Sequence, residues 1–187
     1  LGKEALKNAT NAAQNLLYEL KQRVKQGKGV VKKGAPRLMM IEAPSFSDPN
    51  ITAEVEKLNL AIPFFNFFVF APEAELNPPR IDSKSLNSNK IIAHNILSVG
   101  MTNCLPLRLK TLVKACKKFK PDGILINMHS TCRPHSGDIQ IVKEIIEKEI
   151  RIPVLILEGE IFDPRYYSIK KFKSELEVFA EILKERN

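Results

Sequence analysis

Between residues 121 and 165 two short apolar runs, Gly123–Met128 and Pro153–Leu157, flank a stretch of helical periodicity in which Ile139, Val142, Ile145 and Ile146 share one face. Apolar runs of this length without polar alternation read as strands buried on both faces. Two such strands separated by one helix run parallel, because a parallel pair needs a crossover connection. The segment therefore restricts the chain to an α/β architecture with a covered parallel sheet.

The same alternation extends along the rest of the chain. Arg37–Ala43 and Ile62–Ala71 read as two further strands, the second rich in Phe. Asn50 or Thr52 caps a short helix ending near Leu58, and Pro72, Pro78 and Pro79 force an irregular loop over 72–82. A helix is expected over 83–99. Pro106 opens another, with Leu109, Leu112, Val113, Cys116 and Phe119 on one face. After the last strand, Asp163-Pro164-Arg165 reads as a rigid turn. Ser168 is an N-cap for a terminal helix that buries Ile169, Phe172, Leu176, Phe179, Ile182 and Leu183. Near the start, Leu6, Ala9, Ala13, Leu16, Leu17, Leu20 and Val24 predict an amphipathic helix over 3–26, stopped by Gly27 and Gly29. The expected fold is a three-layer α/β sandwich with a parallel sheet of about four strands, Rossmann-like or flavodoxin-like. Residues 1–36 are expected to form a helix and linker packed on an α/β domain spanning 37–187.

Bulk properties narrow the function classes. The 187 residues suit one sizeable α/β domain, and a hydrophobic content of 44% supplies its core. The net charge of +8 suits an anionic partner such as a coenzyme A ester. The Lys and Arg residues form no tract and are interleaved with Glu along helix faces, which argues against nucleic acid. Three cysteines without disulfide-type spacing fit free thiols or metal ligands in a cytoplasmic protein. No apolar run is long enough to span a bilayer, and neither a P-loop nor a GxGxxG pattern is present. A start at Leu1 that is helical by Lys3 fits a piece of a longer subunit.

The candidate site follows the strand Gly123–Met128, where His129-Ser130-Thr131-Cys132-Arg133-Pro134-His135 leads into the next helix. Open α/β sheets place their sites at the carboxyl ends of strands. A helix N-terminus there offers free backbone N–H groups and positive potential, which favour the ligating thiolate form of Cys132. His129-x-x-Cys132-x-x-His135 has metal-ligand residue types, but three ligands within seven residues do not converge easily and no matching fourth is evident. A Cys–His nucleophile pair is also possible, without the flanking signatures of thiol hydrolases. Cys104 is a second ligand candidate and Cys116 reads as core. Glu158 and Glu160, at the end of the last strand, either orient a ligand or pair with Arg165.

SerThrCysArgPro at 130–134, IPVLILEGEIFDPRYYS at 152–168 and the helix ending FAEILK at 179–184 together resemble the 2-hydroxyacyl-CoA dehydratase family. GKGVVKKGAPR at 27–37 resembles that family's entry into its second domain. The family includes dehydratase large subunits, ATP-dependent benzoyl-CoA reductases and double-cubane cluster proteins. The resemblance implies the C-terminal domain of a two-domain subunit whose first domain is missing here, with an iron–sulfur cluster (4Fe-4S or double-cubane) between the domains. It implies Cys132 as a cluster ligand, and a further ligand at Cys104 would favour the double-cubane branch. It also implies an ATP-hydrolysing activator protein and one-electron, ketyl-radical chemistry on an acyl-CoA thioester. Ser130, Thr131, Arg133, Glu158 and Arg165 become candidates for the cluster environment or substrate contact, with the catalytic residues themselves unassigned. The alternative is a non-catalytic α/β module that supports a cluster-bearing partner.

Overall fold

A computed structural model describes residues 2–41, 50–66, 89, 93, 104–160 and 163–186. The chain divides into two compact units, Leu1–Ala35 and Pro36–Asn187.

The first unit is built on helix α1 (Lys3–Lys25), with Glu4 in its first turn and Arg23 and Lys25 in its last, matching the helix dipole. Arg23 holds Glu19 one turn earlier through Nε at 2.9 Å and Nη2 at 2.6 Å. Gly27 ends the helix as expected. It takes a left-handed φ of 65°, its N–H donates to the Val24 carbonyl at 3.1 Å, and the Lys28 N–H reaches the Arg23 carbonyl at 2.9 Å. This double closure is the Schellman arrangement, in which glycine carries no Cβ penalty. No residue of α1 is buried, and Leu16, Leu17 and Leu20 remain exposed.

The second unit contains β1 (Arg37–Ile41), α2 (Ile51–Lys57), β2 (Ala61–Asn66), α3 (Leu105–Phe119), β3 (Gly123–His129), α4 (Arg133–Ser136), α5 (Ile139–Glu149), β4 (Val154–Gly159) and α6 (Ile169–Arg186). Among the described residues all the strand pairings are parallel, and the order across the sheet is β2-β1-β3-β4. The β1–β2 connection steps one way across the sheet, and the later connections step the other way. Right-handed crossovers then require helices on both faces. One apolar cluster joins Leu38, Met40 and Leu125 to Ile51 and Val55 of α2 and to Phe172, Leu176, Phe179 and Leu183 of α6. The opposite cluster joins Met39, Ile41, Ile124 and Ile126 to Leu112 and Cys116 of α3 and to Ile139, Val142 and Ile146 of α5. Coverage on both faces explains why Leu38 to Ile41 are buried without alternation.

The lower end of the sheet is locked by two contacts that decide strand register. The Asp122 carboxylate accepts the Arg37 N–H at 2.7 Å, while the Asp122 N–H donates to the Arg37 carbonyl at 2.7 Å. At Gly123 a Cβ would stand 2.9 Å from Leu183 Cδ2 and 3.0 Å from Phe179 Cζ. Glycine at this position lets α6 lie directly on the start of β3.

Several boundaries and burial patterns differ from expectation. A short helix, α4, begins directly after Cys132, ahead of the expected helix that starts at Ile139. Ile145 is half-buried and Ile169 and Ile182 are exposed. The buried stripe of α6 runs through Phe172, Leu176, Phe179, Ala180 and Leu183, so Ala180 takes the inward position expected for Ile182. Ser168 does cap α6, with its Oγ accepting the Lys171 N–H at 3.3 Å. The expected loop over 72–82 and the second half of the Phe-rich strand lie outside the described residues. So does the expected helix over 83–99, apart from Asn89 and Ala93, which are helical.

Candidate functional site

Strands β3 and β4 are in register to their ends, with Met128 opposite Glu158 and His129 opposite Gly159. Asn127 and His129 continue the face begun by Leu125, toward α2 and α6, and are only 7% and 3% exposed. The chain then turns. The Cys132 N–H donates to the His129 carbonyl at 3.0 Å. The Gly159 carbonyl accepts from both the Ser130 N–H and the Ser130 Oγ, each at 3.2 Å. The Thr131 N–H donates to Glu160 Oε1 at 2.8 Å. Glu160 is 7% exposed. Both residues ahead of Cys132 are thus tied to the end of β4.

Cys132 is half-buried at the N-cap of α4. Its carbonyl accepts from the Ser136 N–H at 2.9 Å and the Ser136 Oγ at 3.2 Å. Arg133, next to it, is exposed. The side chains of Pro134 and His135 lie outside the description. Cys104 is exposed at the N-cap of α3, where its carbonyl accepts from the Leu107 and Arg108 N–H groups at 3.1 Å. Arg108 in turn reaches Asp138, the N-cap residue of α5, at 2.7 Å. Cys104 therefore heads a helix whose first turn is joined to the start of α5, the helix that follows the short α4 headed by Cys132. Cys116 is core, as expected, and burial pushes its thiol up to about 12.

A cleft of about 300 Å³ opens beside this turn on the α2/α6 side. Leu157 and Phe172 give it apolar walls, Asn127, His129 and Glu160 are its buried polar groups, and Glu158 and Lys171 stand among its lining residues. Arg165 also lines the cleft, but its guanidinium does not pair with Glu158 or Glu160. It clasps Asp163 through Nε at 2.9 and 3.1 Å and Nη2 at 2.6 Å. These bonds, with the Arg165 N–H, hold the Asp163 carboxyl below the usual carboxylate range. The Tyr166 N–H closes the same turn on the Asp163 carbonyl at 3.2 Å, so the expected rigid turn is present.

Cys132, Ser130 and Thr131 share one short turn, while Glu158 and Arg165 line the adjoining cleft. Cys132 is not among the residues that line that cleft. Glu160 is the residue that sequence reasoning undervalued against Glu158. Glu158 is exposed, whereas Glu160 is buried and bonded to the cysteine turn. Among the described residues no three His, Cys, Asp or Glu side chains gather as a metal site. Also among them, no helix is long and apolar enough to cross a membrane.

Residues 5–183 match the family model described as 2-hydroxyglutaryl-CoA dehydratase, D-component. A benzoyl-CoA reductase subunit of Thauera aromatica is 30% identical over 95 residues, covering 51% of this chain and 22% of that protein. The (R)-phenyllactyl-CoA dehydratase alpha subunit of Clostridium sporogenes is 26% identical over 86 residues, covering 46% of this chain and 20% of that protein. The matched stretch thus spans about a fifth of the length of these curated relatives.

Proposed function

The chain belongs to the 2-hydroxyglutaryl-CoA dehydratase D-component family, and from that premise we propose that it is the C-terminal α/β lobe of an iron–sulfur 2-hydroxyacyl-CoA dehydratase subunit or of a related ATP-dependent acyl-CoA reductase subunit. The observation that carries this reading is Cys132. It is a half-buried thiol at the carboxyl edge of a parallel sheet, on a turn held by hydrogen bonds to Gly159 and Glu160. A cluster ligand needs a thiolate that is fixed in place and shielded on one side. The described residues fit one such thiolate at Cys132 and a second, more exposed one at Cys104. They do not form a complete ligand set, so the remaining ligands belong to another lobe or subunit.

The cluster, when bound, supplies single-electron chemistry at the carbonyl of an acyl-CoA thioester, with electrons delivered by an ATP-hydrolysing activator. Ser130 and Thr131 set the orientation of Cys132 through their bonds to β4. Arg133 is exposed beside the thiol and offsets negative charge there, either that of the cluster or that of an acyl carboxylate. Glu158 and Arg165 line the cleft on the side from which a substrate approaches.

Anaerobic reconstitution of the chain with its complementing lobe or subunit tests the reading. The wild-type assembly is expected to take up iron and sulfide and to absorb broadly in the visible range, and Cys132→Ala loses most of both. A full iron complement in Cys132→Ala overturns the ligand assignment. A colourless, iron-free wild-type assembly identifies the chain instead as a non-catalytic α/β module.

A further inference from the structure

We infer that Glu160 is the positioning residue for Cys132, fixing the turn that presents the thiol and placing a negative charge against that turn. A carboxylate that is 7% exposed is costly unless it is hydrogen-bonded. Glu160 Oε1 accepts the N–H of Thr131, the residue directly before Cys132, at 2.8 Å. Main-chain contact from Gly159 holds only Ser130. Thr131 is itself exposed, so, beside the bond from the Cys132 N–H to the His129 carbonyl that closes the turn, the contact that holds its amide is the carboxylate reaching it from the end of β4.

The same side chain lines the cleft on the α2/α6 side, whereas Cys132 does not. Glu160 therefore touches both the cleft and the cysteine turn. The consequence at a bound cluster rests on the reading of Cys132 as a ligand. The geometric role stands on the cluster-free protein.

The test has two arms. In iron-free protein, shown to be folded by circular dichroism, the rate of Cys132 modification by iodoacetamide is followed at fixed pH by peptide mass spectrometry, with Cys104 as the internal reference. Glu160→Gln keeps an acceptor oxygen and stays within about twofold of wild type, whereas Glu160→Ala frees the Thr131 amide and speeds Cys132 about fivefold. The Cys104 rate does not change in either variant. Should Glu160→Ala not fold, Glu160→Asp, shorter by a methylene, takes its place with the same expected direction. A Cys132 rate equal to wild type in the folded variant overturns the positioning role.

In the second arm, the reconstituted assembly carrying Glu160→Gln has a higher cluster midpoint potential than wild type, because losing a nearby negative charge favours the reduced form. An unchanged potential overturns the electrostatic half of the inference. An assembly that binds no iron overturns the cluster reading, and the modification rates alone then decide the role of Glu160.

Discussion

Arg108 and Asp138 meet at the carboxyl edge of the sheet, with Arg108 Nη1 2.7 Å from Asp138 Oδ2 and both side chains about four-fifths shielded from solvent, at 20% and 19% exposed. Arg108 lies in the first turn of the helix headed by Cys104, and Asp138 precedes the helix that follows the Cys132 turn. This ion pair thus ties the start of α3, headed by Cys104, to the start of α5, which follows the short helix headed by Cys132.

Removing the guanidinium leaves Asp138 partly buried without its charged donor. Arg108→Ala is expected to destabilise the fold by about 1.5–3 kcal/mol, the range for a hydrogen bond between charged groups. Urea unfolding measures this directly. A midpoint equal to wild type at an unchanged slope sinks the idea that the pair holds α3 to α5.

At the opposite end of the sheet, close approach rather than charge is limiting. Gly123→Ala places a methyl group within 3.0 Å of Leu183 and Phe179, both packed in the core. The overpacking costs about 1–3 kcal/mol. Leu183→Ala clears part of that space, so the double variant is less destabilised than the sum of the two single changes. Strict additivity in the cycle argues that α6 shifts freely over β3, contrary to the packing described.

The sheet was legible in the sequence because its strands are covered on both faces, and LMMI at 38–41 and GILI at 123–126 have no polar interruption to confuse with surface strands. The α6 stripe was less legible. Ile182 and Ala180 compete for the inward position, and helix rotation against the sheet, which Gly123 sets from far away in sequence, decides for Ala180. At the site, Cys132 announced itself by its place after a strand. Glu160 did not, because its role depends on β3–β4 register. Only when His129 stands opposite Gly159 does a carboxylate one residue later reach Thr131. Arg165 likewise had two acidic neighbours at the end of the last strand, Glu158 and Glu160, yet bonds to Asp163 two residues away because local geometry favours the short turn.

Glu54 on α2 binds two ammonium groups, Lys57 Nζ at 2.8 Å and Lys173 Nζ of α6 at 3.1 Å. Hydrogen bonds from Lys57 and then Lys173 hold its carboxyl below the ordinary value of 4.5. Its contribution to stability is therefore present above the ordinary carboxylate range and fades as pH falls through the lowered folded value. Carbon NMR of the Glu54 carboxyl should show a titration below the ordinary value of 4.5. Lys57→Met moves the midpoint up more than Lys173→Met does. A midpoint insensitive to both substitutions removes this bridge between α2 and α6.

Cys116 gives the fold an alkaline limit. It is 2% exposed between α3 and the sheet, and burial pushes its thiol from the ordinary 9.0 up to about 12. Below about pH 9 the thiol is protonated in both folded and unfolded chains and has no effect on pH dependence. Above that value the unfolded chain releases the proton while the folded chain retains it. The folded state is then the more protonated one, and stability falls with pH by up to about 1.4 kcal/mol per unit. Between about pH 9 and about pH 11 the loss amounts to roughly 2 kcal/mol. Lysines and tyrosines titrate in the same interval, so the measurement is the difference between wild type and Cys116→Ala in urea midpoints across that range. The alanine variant starts lower because it loses the buried sulfur, but its stability declines less steeply with pH. Parallel declines in the two proteins overturn the assignment. In the same interval iodoacetamide modifies Cys104 and Cys132 in the folded protein, and Cys116 only after unfolding.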